Sequence, residues 1–122
     1  MARDAVLVID DDADFRESVR MLLEDQGLAV LEAVDGAEAV ALVEREGARV
    51  RLVLLDYWMP GMKPAECARA LEARLAADVP IVLVTAAANP AERAAEVGLE
   101  RYMSKPFTVE LLGRMVSLSA RT

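Results

Sequence analysis

The sequence predicts an α/β domain, a doubly wound parallel sheet of five strands with helices on both faces. Three observations carry this. Short apolar runs and longer amphipathic stretches alternate strictly, five times each. The apolar runs are mostly continuous, as in strands buried on both faces. The chain has 122 residues and no Gly/Ser/Pro-rich stretch to divide it, so a single domain over residues 1–122 is expected.

The elements follow in order. "AVLVI" (5–9) reads as a fully buried strand. "DFRESVRMLLEDQG" places Phe15, Val19, Leu22 and Leu23 on one helical face, and Gly27 is a natural stop. Asp12 or Asp14 suits the N-cap of this helix. "LAVLEAV" (28–34) is a strand, and "DGAEAVALVEREG" is a helix burying Ala39, Val40 and Val43. "VRLVLLD" (50–56) is a strand ending on a carboxylate. "PAECARALEARLAA" (64–77) is a helix opened by Pro64, where proline is tolerated. "PIVLVT" (80–85) is a strand, "PAERAAEVG" (90–98) a short helix, "RYMS" (101–104) a short strand and "TVELLGRMVSLSA" (108–120) a final helix.

Composition excludes several function classes. The formal net charge of −7 disfavours nucleic acid and anionic membranes as direct partners. There is no histidine, which removes Ser-His-Asp and Cys-His catalysis and makes a zinc site implausible. The single cysteine, Cys67, permits no internal disulfide and sits in a helical pattern as a small packing residue, which suits a reducing compartment. "MARDAVLVIDDD" turns acidic too early for a leader peptide, and no apolar run reaches membrane-spanning length, so a cytoplasmic location is expected.

In open parallel sheets, ligands bind at the carboxyl ends of the strands. Here the first strand ends in Asp10, Asp11 and Asp12, the third in Asp56, the fourth in Thr85, and the fifth runs into Lys105-Pro106. Crowded carboxylates raise one another's pKa unless a cation neutralises them. Mg²⁺ takes one or two carboxylates plus waters. The rim therefore reads as a Mg²⁺ cup with room for an anion between metal and lysine. Singly, each residue has a plainer reading: a helix cap, loop acids, a β-branched strand residue, a surface charge. Their convergence favours the site.

The segments "VLVIDDD", "VDGAEAV", "LVLLDYWMPGM", "PIVLVTA" and "YMSKPF" resemble, in order and spacing, the receiver domains of response regulators in two-component signalling. The resemblance covers essentially the whole chain. It implies a flavodoxin-like strand order 2-1-3-4-5 and phosphorylation of Asp56 by a partner's phosphohistidine. It makes Asp11 a direct Mg²⁺ ligand, Asp10 an outer-shell acid, and Asp56 and the backbone carbonyl of Trp58 further ligands. Thr85 and Lys105 match the catalytic hydroxyl and ammonium, and Thr85 and Tyr102 the switch pair. A histidine kinase or phosphotransfer protein would be the donor, with an output partner or effector domain downstream. Lys105-Pro106 should be cis, a form that is cheap only before proline. "MPGM" reads as loop geometry: Pro60 holds Met59 extended and Gly61 permits the turn.

Some residues depart from the family pattern. Arg51 stands where an acid is frequent, and Lys63-Pro64 where Asp-Gly is; both read as surface or loop changes. The stretch from Thr85 to Lys105 is about two residues short, which trims the fourth helix or its approach. Trp58 and Ala87 occupy positions that tune loss of the phosphoryl group. Two rival readings remain. A haloacid-dehalogenase-type phosphohydrolase needs an acid two residues after its nucleophile, where this chain has Trp58. A degenerate receiver would lack an acid or the lysine, and none is missing. The domain is either a stand-alone regulator or a piece of a longer one.

Overall fold

The computed structural model describes residues 3–119. Strands β1 (Ala5–Ile9), β2 (Ala29–Ala33), β3 (Val50–Asp56), β4 (Ile81–Thr85) and β5 (Arg101–Ser104) alternate with helices α1 (Ala13–Asp25), α2 (Gly36–Glu46), α3 (Pro64–Glu72), α4 (Pro90–Val97) and α5 (Val109–Ser119). The sheet is fully parallel with order β2-β1-β3-β4-β5. The predicted final residue of the last helix, Ala120, lies outside the described residues.

Side-chain alternation along each strand splits the core in two. Leu7, Ile9, Val53, Leu55 and Leu83 face α2, α3 and α4, meeting Val43, Leu71 and Val97. Val6, Val8, Leu52, Leu54 and Val84 face the other way, onto Val19 and Leu23 of α1 and Leu112 and Val116 of α5. Both halves are aliphatic at their centres, and no aromatic side chain is fully buried among the described residues. At about 25 cal/mol per Å² of apolar surface removed from water, this two-sided burial is what fixes the register. Cys67 is buried in the first cluster, and burial pushes its thiol up to about 11, so it is a packing residue.

One boundary and one connection differ from expectation in an informative way. The third helix was expected to reach residue 77 but ends at Glu72. There the Arg74 N–H bonds the Leu71 carbonyl at 3.0 Å, tightening the last turn, and Leu75 enters the core. A short 3-10 turn (Gly47–Arg49) joins α2 to β3. Helix α4 has 8 residues, the shortest of the five, and ends as expected at its Gly98 cap.

Arg51 corrects its reading as a surface change. It is half-buried, and its guanidinium donates to Ser119 Oγ at 3.0 Å and to the Val116 carbonyl at 3.1 Å. It ties the start of β3 to the end of α5. Lys63-Pro64 does lie where the loop meets α3, with Pro64 as its first residue.

Candidate functional site

The site is assembled by the carboxyl ends of β1, β3 and β4 and by the turn after β5. β1 and β3 are adjacent, with Ile9 opposite Leu55, so the residues that follow them, Asp10 and Asp56, emerge side by side. Both are nearly enclosed, Asp10 at 1% exposure and Asp56 at 6%, whereas Asp11 is exposed. One oxygen from each of Asp10, Asp11 and Asp56 falls within 4.8 Å of the others. Lys105 closes the rim, its Nζ 2.7 Å from Asp10 Oδ2 and 3.3 Å from Asp56 Oδ1.

Hydrogen bonding separates the three acids. Asp10 is fully engaged by the protein: Oδ1 accepts from the Asp12 N–H at 2.9 Å and Oδ2 from Lys105. Arg16 donates to the Asp10 carbonyl at 2.7 Å and pairs with Glu32 of β2 at 3.0 Å, fixing the strand end. The Asp11 carboxylate makes no hydrogen bond among the described residues, and Asp56 uses only Oδ1. Asp12 is the α1 N-cap, accepting from the N–H groups of Asp14 and Phe15.

The electrostatics follow from this crowding. Burial raises the Asp56 carboxyl, the neighbouring Asp10 charge adds to it, and Lys105 offsets only part, leaving it pushed up to about 6. Burial alone would lower the Lys105 ammonium. Its hydrogen bond to Asp10 and the charges of Asp56 and Asp10 outweigh that, so it is held above the ordinary lysine value. Three acids face one lysine in a partly enclosed cup of oxygens. That donor set fits a hard divalent cation, with Asp11 and Asp56 holding free oxygens for it.

The loop after Asp56 turns at Gly61, whose φ of +81° falls where an L side chain is strained. Gly36 lets it close down: a Cβ there would lie 2.9 Å from Met62 Sδ. The Lys105–Pro106 bond is cis, as expected. Thr85 is buried, and its Oγ1 accepts from the Ala87 N–H at 3.0 Å. Tyr102 sits apart from the acids on edge strand β5, 40% exposed. The Trp58 indole is 69% exposed and meets the Tyr57 ring edge-on at 5.0 Å. Tyr57 was missed by sequence reasoning. Its hydroxyl donates to Glu96 at 2.9 Å, and Arg93 lies over its ring at 5.7 Å, so the residue after Asp56 is tethered to α4. A tyrosine beside the loop and an Arg-x-x-Glu pair forty residues away offer no sequence signal of that contact.

This chain matches the family model described as "Response regulator receiver domain" over residues 6–117. It belongs to that family. Response regulator MprA of Mycobacterium sp. (strain KMS) is 40% identical over 120 residues, covering 96% of this chain and 51% of MprA. The phosphate regulon transcriptional regulatory protein PhoB of Pseudomonas aeruginosa is 34% identical over 126 residues, covering 100% of this chain and 54% of PhoB. The chain thus spans about half the length of the curated relatives it matches. Among solved structures, Vibrio cholerae chemotaxis protein CheY4 superposes with a TM-score of 0.78 at 29% identity, covering 93% of this chain and 95% of that one. The receiver domain of NtrX from Brucella abortus gives 0.82 at 26%, covering 96% and 98%. Receiver domains accept phosphoryl groups in two-component signalling, and response regulators work with histidine kinases. No helix among the described residues is long and apolar enough to cross a membrane.

Proposed function

We propose that Asp56 is the phosphoryl acceptor of this receiver, with Lys105 as its electrostatic partner and the three-acid cup as a Mg²⁺ site. The observation that carries this is the shared cup: an Asp56 oxygen lies within 4.8 Å of oxygens on Asp10 and Asp11, with Lys105 Nζ 3.3 Å away. Asp11, Asp56 and the backbone carbonyl of Trp58 would hold the ion directly, and Asp10, already saturated by Asp12 and Lys105, would act from behind. When bound, Mg²⁺ supplies neutralisation of the negative charge that gathers on a transferring phosphoryl group.

The chain's own groups do the rest. A carboxyl pushed to about 6 is ionised at neutral pH yet more basic than an ordinary aspartate, which suits a nucleophile. One Asp56 oxygen forms the new P–O bond while the donor's P–N bond breaks. The donor imidazole, on a histidine kinase or phosphotransfer protein, keeps that electron pair. Lys105 stays protonated throughout and pairs with the incoming oxygens as a point charge. Thr85 Oγ1 accepts one hydrogen bond, leaving its own O–H to donate toward a phosphoryl oxygen. Movement of Thr85 would make room for Tyr102 to turn inward from its exposed position, a population shift that alters the α4–β5 face. The domain then catalyses only its own phosphotransfer and dephosphorylation. The cytoplasm is the compartment where such a donor and the free Cys67 thiol coexist.

The test is incubation with Mg²⁺ and acetyl phosphate, followed by intact mass. Wild type should gain one phosphoryl group and Asp56→Asn none. Equal labelling of both would sink the assignment.

A further inference from the structure

The chain has two phenylalanines, and both are half-buried at the edge of the α1–α5 core cluster, lining one pocket with Lys105. Lys105 Nζ stands 4.2 Å from the centroid of the Phe15 ring. Phe107, two residues after Lys105, meets Phe15 edge-to-face with centroids 5.9 Å apart and planes at 89°. The Phe15 backbone is itself anchored, because its N–H donates to the Asp12 cap. Capped helix start, braced ring and ammonium form one continuous line of contacts.

We propose that Phe15 is a positioning residue for phosphotransfer, its ring face holding the ammonium of Lys105 over the gap between Asp10 and Asp56. This rests on the reading of Asp56 as acceptor. An ammonium within about 6 Å of a ring face is drawn to the ring's negative quadrupole. Lysine has a flexible four-carbon stem, so its head must be held if it is to meet a phosphoryl group in one geometry. Asp10 and Asp56 grip it from one side. A third carboxylate on the open side would add negative charge to a rim already rich in acids. A ring face supplies attraction there without that charge. It is also tolerant of small lateral shifts, so the ammonium can follow the new oxygens when Asp56 is modified. A plainer role, in which Phe15 merely covers the edge of the α1–α5 core cluster, predicts dependence on side-chain volume alone.

The two roles separate by ring electronics. Site-specific incorporation of fluorinated phenylalanines at position 15 weakens the ring quadrupole in steps at nearly constant size. With acetyl phosphate and saturating Mg²⁺, the rate of labelling at Asp56 should fall in the same steps, to about fivefold slower for the trifluoro ring. Phe15→Leu should be slowed about as much, and Phe15→Tyr should stay near wild type. Mg²⁺ affinity and thermal midpoint should hold across the fluorinated set. The Lys105 ε-proton resonances should lie upfield in wild type, from the ring current, and move back in Phe15→Leu whether or not phosphodonor is present. A flat rate across the fluorinated series, with wild type labelling normally, overturns this inference and leaves the acceptor reading standing. So does slowing seen only with a protein phosphodonor, since that would make Phe15 a docking contact. Failure of wild type to label at all, with the upfield shift intact, would instead strike the acceptor reading and the rate claim that depends on it.

Discussion

The two ends of the sheet treat the same residue type in opposite ways. At the amino end, Asp4 pairs with Arg49 at 3.1 Å and Asp78 with Arg3 at 2.8 Å, and each carboxyl is held below its ordinary range by a hydrogen bond from its arginine. At the carboxyl end, Asp56 is pushed up to about 6, because it is buried beside Asp10 with only one lysine between them. The first end has enough cations for its acids. The second is short of positive charge, and two of its three acids are nearly closed to water. A deficit of that kind is unstable by itself and becomes favourable when a cation arrives, which is how a binding site differs from a solvated surface.

That contrast can be broken most severely at Lys105. Lys105→Met removes the counter-charge from two enclosed carboxylates and should cost about 3–5 kcal/mol in urea unfolding at pH 7.5 with chelator present. Added Mg²⁺ should recover a large part. Loss of less than about 1 kcal/mol would mean that the acids are not held against one another as described.

Asp56→Asn should act in the opposite direction. The folded value of about 6 lies above the unfolded value of 3.8, so the folded protein keeps a proton the unfolded chain has released. The stability this contributes is fully present below pH 3.8 and is lost as pH rises through about 6. At pH 7.5 without divalent cation, the variant should therefore exceed wild type by up to ~3 kcal/mol, with the two converging near pH 4. A gap that does not close on acidification would locate the effect elsewhere.

Smaller effects sharpen the other end. Arg51→Ala unties α5 from β3 at a half-buried site and should cost about 1–2 kcal/mol, with faster hydrogen exchange confined to the last turns of α5. Arg49→Ala removes a guanidinium paired with the solvated acids Asp4 and Glu46 and should leave the urea midpoint within error, with any residual difference vanishing in high salt. Equal costs for the two would erase the distinction between a guanidinium bonded to neutral oxygens of a packed helix and one paired with solvated acids.

Much of this was legible in the sequence. The continuous apolar runs of β1, β3 and β4 read as strands covered on both sides, and strict alternation with amphipathic stretches then pointed to a parallel sheet. Because ligand sites in such sheets gather at carboxyl ends, the order of the elements alone places Asp10, Asp11, Asp56 and Lys105 on one rim. What was not legible depended on contacts between distant residues. Arg51 reads as a surface charge until α5 is seen lying across it. Phe15 reads as one more apolar residue on a helix face, since nothing in a 3.6-residue period says that a lysine ninety residues away will rest on its ring. The early end of α3 is of the same kind, because local Ala-rich propensity favours continuation and only the insertion of Leu75 into the core argues otherwise.

The placement of the aromatic side chains also decides what light can see. With an aliphatic core, the five aromatic residues are Phe15, Phe107, Tyr57 and Trp58 around the rim and Tyr102 on the last strand. Near-ultraviolet dichroism and indole emission from this protein are therefore records of one end of the molecule. They will register an ion or a phosphoryl group arriving, and will go quiet if the rim loosens while the sheet beneath it stays intact.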